Sequence, residues 1–322
     1  MTKKKYKFVC VVDTVFSLMY YVLLNNRQVV DTYFFFSDGI PANIRMRFPH
    51  TFLKKADVTM RSIIIFRSIV NKLKIQIQYM KQGLSGLVIW GQDHLFISGY
   101  FVSTRSEPFY LLEDGLANYT FVNTEKQQRF GWVKCLVGRN GGYLPWGVSN
   151  RIERIFLTGL CQIPVVISDK VVIKPILPLW KQLNENEKAN IRNLFNVPSL
   201  PVIRNCSILL ITQCYSEDKV CSESEKVAYY KKCVYDIPQD LLVIKPHPRE
   251  VTDYKKIFPN ALVLDKCFPL ELLFLSSTIE VNCIYSINSS CALTLSKNFG
   301  LPLKMLNNNF NGLKCKQSKI GS

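Results

Sequence analysis

Histidine is scarce in this 322-residue chain: only His50, His94 and His247 occur, so imidazole chemistry has three places to happen. The eleven cysteines form no CxxC pair, and the tightest group, Cys206, Cys214, Cys221 and Cys233, lacks the short spacings that hold zinc. That pattern argues against a zinc module and leads us to expect reduced, mostly buried thiols in a cytosolic protein. No Asp-X-Asp triplet is present, so a metal-bound diphosphate lacks its usual ligands and no essential metal is expected. Acids are also few, 24 against 41 Lys and Arg, for a formal net charge of +17. Such a balance favours anionic partners: nucleic acid, an acidic membrane or phosphorylated substrates. The chain carries no recognised nucleic-acid motif, and its cations are not interleaved with aromatics in the manner of a strand-binding groove. A nucleic-acid-binding protein is therefore the remoter reading.

A long uncharged apolar run is missing as well. Lys3, Lys4 and Lys5 precede a mainly apolar stretch, 8–24, that resembles a signal peptide or anchor, but Asp13 interrupts it. A carboxylate in mid-span costs about 2.5–3.5 kcal/mol on insertion scales. The stretch divides into a β-rich part (6–12), a tight turn at Asp13 and Thr14, and a helical part (15–24). No internal repeat or low-complexity segment appears, which sets aside a solenoid.

What is present is an alternation. At 48% hydrophobic, the chain suits two α/β domains of roughly 150 residues each. Short apolar runs recur at 7–12, 32–36, 86–90, 109–112, 165–167, 207–212, 240–244, 261–264 and 280–284, most separated by enough chain for a helix. Parallel sheets with crossover helices have this pattern. Two prolines, Pro198 and Pro201, within 193–205 follow a charged, helix-like stretch (180–194) and mark a linker, dividing the chain into domains 1–195 and 196–322. From Pro41 to Lys81 there are nine cations against one acid, Asp57. Apolar residues interleave with them over 62–77, as expected of a basic amphipathic helix on an anionic bilayer or of a solvated helix face.

Open α/β sheets bind ligands at the carboxyl ends of their strands, and there the informative residues fall. After 109–112 come Glu113, Asp114 and Gly115: two acids for a general base, or an N-cap turn, followed by a residue free to turn in any direction. After 240–244 come Lys245, Pro246, His247, Pro248 and Arg249, where two prolines hold one imidazole between two cations. A leaving phosphate would find a proton or hydrogen-bond donor in His247 and charge in Lys245 or Arg249. After 280–284 lie Ser286, Asn288, Ser289 and Ser290 at a helix start, which is an anion site or an ordinary N-cap. Two further polar loops, Thr212-Gln213 with Ser216-Glu217-Asp218, and Gly91-Gln92-Asp93-His94, line a site or serve only as loops.

Taken in order, the acidic pair with glycine, the His-Pro of His247 and Pro248, and the serine pair resemble the three motifs of bacterial sialyltransferases. The length and spacing are most similar to the glycosyltransferase family 52 type, which includes lipooligosaccharide α-2,3-sialyltransferases and capsule enzymes. The resemblance implies a GT-B fold, two Rossmann-like domains with parallel sheets facing a central cleft, an acceptor-side N-terminal domain and a CMP-binding C-terminal one. It implies an inverting, metal-independent transfer from CMP-sialic acid to a glycan acceptor, with no cofactor. Carried over, Asp114 is the base, with Glu113 second and Asp218 the rival from the second domain. His247 assists departure of the phosphate, and Ser289 with Ser290 binds it; Lys245, Arg249, Gly115, Gln213 and Asn288 complete the substrate contacts. A polysialyltransferase, another glycosyltransferase or a sugar-nucleotide epimerase would share the fold. The expected location is cytoplasmic, peripheral on the inner membrane face, and a homodimer stays open.

Overall fold

The computed structural model describes residues 6–54, 61–95, 98–120, 144–198, 203, 206–277, 279 and 281–307. The chain forms two compact units, Met1–Asn196 and Val197–Ser322.

In the first unit the strands are β1 (Phe8–Val12), β2 (Thr32–Phe36), β3 (His50–Phe52), β4 (Val88–Gly91), β5 (Phe109–Leu112), β6 (Ile152–Leu157) and β7 (Val171–Ile173). They form one sheet in the order β3-β2-β1-β4-β5-β6-β7, every neighbouring pair parallel. The helices are α1 (Val15–Leu24), α2 (Ala42–Arg45), α3 (Arg61–Gln82), α4 (Ser98–Thr104), α5 (Ala117–Thr120), α6 (Ile176–Lys181) and α7 (Glu185–Leu194). β2 is buried throughout and β1 in all but its first residue, the state of parallel strands covered on both faces. The run that resembled an anchor is thus a central strand and the helix after it. Thr14 caps α1 by accepting the Ser17 N–H.

The second unit repeats the plan with β8 (Ile208–Ile211), β9 (Leu242–Lys245), β10 (Leu262–Val263), β11 (Cys283–Ser286) and β12 (Leu303–Met305), in the order β10-β9-β8-β11-β12, again all parallel. Its helices are α8 (Glu223–Cys233), α9 (Tyr254–Ile257), α10 (Leu270–Ser276) and α11 (Ser290–Phe299). Leu209, Ile211 and Val243 pack with Leu270, Leu273 and Leu295 on one face of this sheet. Leu210, Leu242 and Ile244 pack with Tyr230, Val234 and Tyr254 on the other.

Several sequence expectations need correction. The apolar run 165–167 lies in a 3-10 helix, Val165–Lys170, where Val165 and Val166 are exposed; the strand is the next segment, β7, at the sheet edge. β3 and β12 are three-residue edge strands with no distinct signal, and β6 hides its pattern because Glu153 and Arg154 are exposed side by side. The charged stretch 180–194 is two helices, broken where Asn184 forms a capping box with Glu187. Of the nine described cysteines, which were expected to be mostly buried, only Cys10 and Cys214 are. The others are exposed or half-buried in loops, in α8 and α11 and, for Cys283, in β11, where a small thiol is tolerated without being enclosed.

Both sheets reverse direction of strand order beside their first strand, between β1 and β4 and between β8 and β11. In doubly wound sheets this switch point opens a crevice at the carboxyl ends, so β1, β4 and β5 deliver residues to one crevice and β8, β9 and β11 to another.

The loop after β2 is built onto the turn after β1. Gly39 donates its N–H to Asp13 Oδ1 at 3.1 Å, and a Cβ there would stand 1.7 Å from the Asp13 carbonyl oxygen. Gly39→Ala is expected to cost about 1–3 kcal/mol, lowering the melting temperature by roughly 2–12 °C in a unit of this size. A calorimetric scan superposing on that of the parent chain would show that the contact is not tight.

Candidate active site

At the carboxyl end of the first sheet, the two acids after β5 have different fates. Glu113 is fully buried. Its carboxylate accepts the Tyr119 hydroxyl at 2.9 Å, the Thr158 N–H at 2.5 Å and the Thr158 hydroxyl at 3.0 Å, while its carbonyl accepts the Ser17 hydroxyl at 2.6 Å. These bonds tie β5 to α1, to α5 and to the segment after β6. Burial pushes its carboxyl up to about 7 against the lowering effect of the donors. Asp114, next in the chain, points the other way and keeps 20% of its side chain exposed. Its Oδ2 meets His94 Nε2 at 3.0 Å, its Oδ1 accepts the Thr14 hydroxyl at 3.1 Å, and its own N–H is held by Asn118 Oδ1.

His94 is held in turn. Its ring stacks on Trp146, with centroids 4.0 Å apart and planes at 13°. Trp146 adopts a left-handed backbone, φ 65°, unusual for a bulky residue. Buried Asp93 clamps that turn by accepting the N–H groups of Trp146 and Gly147 at 2.9 and 2.7 Å. Gln92 joins the loops after β4 and β1, accepting the Asp13 N–H at 2.7 Å and donating to Thr14 at 3.3 Å. The result is one partly exposed carboxylate, oriented by an imidazole and a hydroxyl, on a rigid base. Such a group can take a proton from a bound hydroxyl.

In the second unit, His247 follows β9 on a loop fastened from beneath by Glu250. Glu250 is buried and accepts the His247 N–H at 2.7 Å, the Tyr254 hydroxyl at 2.7 Å and the Thr212 hydroxyl. Lys226, with no exposed surface, places its ammonium 3.0 Å from Glu217, 3.1 Å from Glu223 and 3.3 Å from Glu250. The His247 ring accepts the Arg249 N–H on Nδ1 at 3.2 Å, which leaves Nε2 as the protonated, donating nitrogen. Burial, with Arg249 close by, pulls the imidazole down to about 4, so near neutral pH it is an uncharged hydrogen-bond donor and not a stored proton.

The neighbouring cations have partners of their own. Lys245 is buried, donating to the Asp265 carbonyl and lying over the Phe268 ring at 4.3 Å, and burial draws it down to about 8. Arg249 forms a two-pronged pair with Asp218 at 2.6 and 2.9 Å, and that bonding holds Asp218 below the usual carboxylate range. Glu217 is engaged by Lys226 and by the Val251 N–H at 2.8 Å. Ser289 is the N-cap of α11, accepting the Ala292 N–H at 3.4 Å, and Ser290 is the first helical residue. The free N–H groups of that first turn are suited to an anion. Gln213 donates its backbone N–H to Tyr230, Asn288 is exposed, and Gly115 turns at φ 60°. Among the described residues, no three His, Cys, Asp or Glu side chains gather as metal ligands.

The profile of glycosyltransferase family 52 matches residues 32–301, a stretch that contains both strand-end clusters except the turn after β1. The chain belongs to glycosyltransferase family 52. An uncharacterized protein of Haemophilus influenzae is 35% identical over 193 residues, which is 59% of this chain and 60% of that relative's length. Among solved structures, a spinosyn rhamnosyltransferase complexed with thymidine diphosphate aligns with a TM-score of 0.52 at 12% identity, covering 94% of this chain and 81% of that one. A UDP-GlcNAc 2-epimerase from Neisseria meningitidis aligns at 0.50 and 12%, covering 94% and 83%. An α/β-galactoside α-2,3-sialyltransferase from Photobacterium phosphoreum aligns at 0.49 and 12%, covering 94% and 99%. The likenesses to the rhamnosyltransferase and the epimerase speak to fold alone, and the fold is GT-B: two α/β units, each built on a parallel sheet.

Within this family 52 chain, the first unit brings Asp114, Glu113 and Gly115 together, and the second brings His247, Lys245, Arg249, Asp218, Gln213, Ser289, Ser290 and Asn288 to the ends of β8, β9 and β11. The supporting residues Thr14, Trp146, Thr158, Tyr119, Glu250 and Lys226 carried no motif. His94 and Asp93 had a signal, the rarity of histidine at a strand end, but nothing in the sequence linked them to Asp114.

The neutral state of His247 is measurable. Nitrogen-detected histidine spectra should show its ring uncharged, with the proton on Nε2, from pH 8 down to about pH 5. A ring already cationic at pH 6 would contradict the arrangement around Nδ1.

Proposed function

We propose that the chain is an inverting sialyltransferase, moving a sialyl residue from CMP-sialic acid to a hydroxyl of a terminal galactose or similar sugar on a bacterial surface glycan, lipooligosaccharide or capsule. Membership of family 52 supports the reaction class, and the three motif clusters at strand ends support the donor. The observation that carries the reading is Asp114, a partly exposed carboxylate fixed at 3.0 Å by His94 and at 3.1 Å by Thr14.

In this reading the first unit supplies the acceptor side and the second the nucleotide side. Asp114 takes the proton of the acceptor hydroxyl while that oxygen bonds to the anomeric carbon of the sialyl group. The bond from this carbon to the phosphate oxygen breaks, and CMP leaves with the electron pair. His247 donates from Nε2 to the departing phosphate, and the first turn of α11 with Ser289 and Ser290 receives its charge. Glu113 is unsuited to be the base, because three donors already occupy its carboxylate in a buried site. Asp218 is unsuited while Arg249 holds both of its oxygens. Lys245 and Arg249 then act as props of the His247 loop more than as direct phosphate ligands. The reaction needs no cofactor in this scheme.

Incubation with a panel of nucleotide sugars tests the donor. Slow release of CMP from CMP-sialic acid alone is expected; cleavage or epimerisation of a UDP-sugar would replace the proposal with another GT-B chemistry. The base is tested separately. Asp114→Asn should lower transfer by at least about 10²-fold, the usual scale of general base catalysis, while CMP binds nearly as before, because an amide keeps the shape but cannot take the proton. Asp218→Asn should be milder. An inactive Asp218→Asn beside an active Asp114→Asn would move the base to the second unit.

A further inference from the structure

α3 is an inverted helix. Among the described side chains of α3, from Phe66 on, Ser68, Asn71, Ile75 and Tyr79 are the buried ones, and two of these four are polar. Phe66, Ile69, Leu73, Ile77 and Met80, a larger apolar set, are 42–75% exposed. At 100° per residue these five fall within an arc of about 80°, centred nearly opposite the buried face. The stripe runs about 21 Å along the helix. An apolar row of this length on the solvent side of a helix marks a contact surface.

The charges along the helix choose the contact. From Arg61 to Gln82 there are five cations and no acid, and exposed Lys74 and Lys81 lie along one edge of the stripe. A second copy packed on the same face would set cations against cations with no acid to answer them, which opposes association. An anionic bilayer answers both features: acyl chains take the stripe and headgroups take the lysines.

We infer that the exposed face of α3 is a membrane-docking surface, on which Phe66, Ile69, Leu73, Ile77 and Met80 enter the interface of an anionic bilayer and Lys74 and Lys81 bind its headgroups. The inference goes beyond the proposed transfer reaction and does not depend on the donor. It places the helix parallel to the membrane plane, not across it; no helix among the described residues is long and apolar enough to span.

The test is co-sedimentation of the full chain with vesicles of phosphatidylcholine alone or with one-third phosphatidylglycerol. Binding is expected only to the anionic vesicles, weakening steeply with salt. Lys74→Gln with Lys81→Gln should weaken it by roughly 25-fold, and Leu73→Ser or Met80→Ser by on the order of tenfold each. All four residues are exposed, so thermal melting of the variants should match the parent, which separates lost docking from lost folding. In a Phe66→Trp chain, emission should shift to the blue on adding anionic vesicles. No sedimentation with anionic vesicles, equal binding by the stripe variants, or a dimer in sedimentation velocity that Leu73→Ser dissolves would each overturn the inference. Failure of CMP-sialic acid as donor would leave vesicle binding unchanged, so the two readings fall separately.

Discussion

Glu113 is a carboxylate with no exposed surface, and burying one is expensive unless donors surround it. The chain supplies them from two places distant in sequence: Tyr119 six residues on, and Thr158 forty-five residues on. Tyr119 is itself fixed, its hydroxyl accepting the N–H groups of Gly159 and Leu160 at 3.1 and 3.0 Å. The Glu113 carbonyl adds the Ser17 hydroxyl from α1. Four segments thereby meet at one residue. Because side chains alternate along an extended backbone, anchoring Glu113 inward turns its neighbour Asp114 outward, where His94 and Thr14 can reach it. The buried acid does not have to touch a substrate to decide where the reactive one stands.

The second unit solves the same problem with other residues. Glu250 is the buried carboxylate there, and its donors include the backbone N–H of His247, the group whose orientation matters. Lys226 neutralises it from a site without exposed surface, shared with Glu217 and Glu223. Prolines on either side of His247 restrict the backbone, and the Arg249 N–H on Nδ1 sets the tautomer. In both units a polar group at the sheet's carboxyl end is held by a fully partnered acid one layer below, so the mobile element is the ligand and not the protein. The Arg249–Asp218 pair adds a clamp at the surface of the same loop.

Strands whose residues are apolar on both sides announced themselves in the sequence, because burial on both faces of a parallel sheet permits nothing else. β1, β2, β5, β8 and β9 are of this kind. Edge strands of three residues need no such run, and β3 and β12 were invisible for that reason, whereas β7 is apolar throughout but follows shortly on the competing apolar run 165–167. Val165 and Val166 misled in the opposite direction: β-branched and apolar, they nevertheless lie exposed in a 3-10 turn. At the site, the residues with unusual local chemistry were legible: the acid pair before a glycine, a histidine between prolines, a serine pair at a helix start. Their partners were not. Thr158 reaches Glu113 across 45 residues, Trp146 reaches Asp93 across 53 and Lys226 reaches Glu250 across 24, and contacts at such separations leave no local mark. Which of two adjacent acids would be buried also depended on Thr158, so Glu113 and Asp114 were indistinguishable until β6 was placed beside β5.

Two of these buried groups act on stability with opposite dependence on pH. Glu113 has its carboxyl raised from 4.5 to about 7 by burial, so the folded chain holds a proton there that the unfolded chain has already lost, and stability falls as pH rises through that interval. His247 is lowered from 6.5 to about 4, also by burial. The unfolded chain binds that proton first, so its share of stability is present above pH 6.5 and is lost as pH falls toward 4. Between about pH 4.5 and 6.5 the two slopes have opposite sign and offset one another. Above pH 7 the Glu113 carboxylate is ionised within its three donors, and the His247 ring is neutral with its proton on Nε2, the form the proposed chemistry uses. Burial thus raises one group and lowers the other, so the imidazole that serves the phosphate is already neutral well below the pH at which the buried acid next to Asp114 loses its proton.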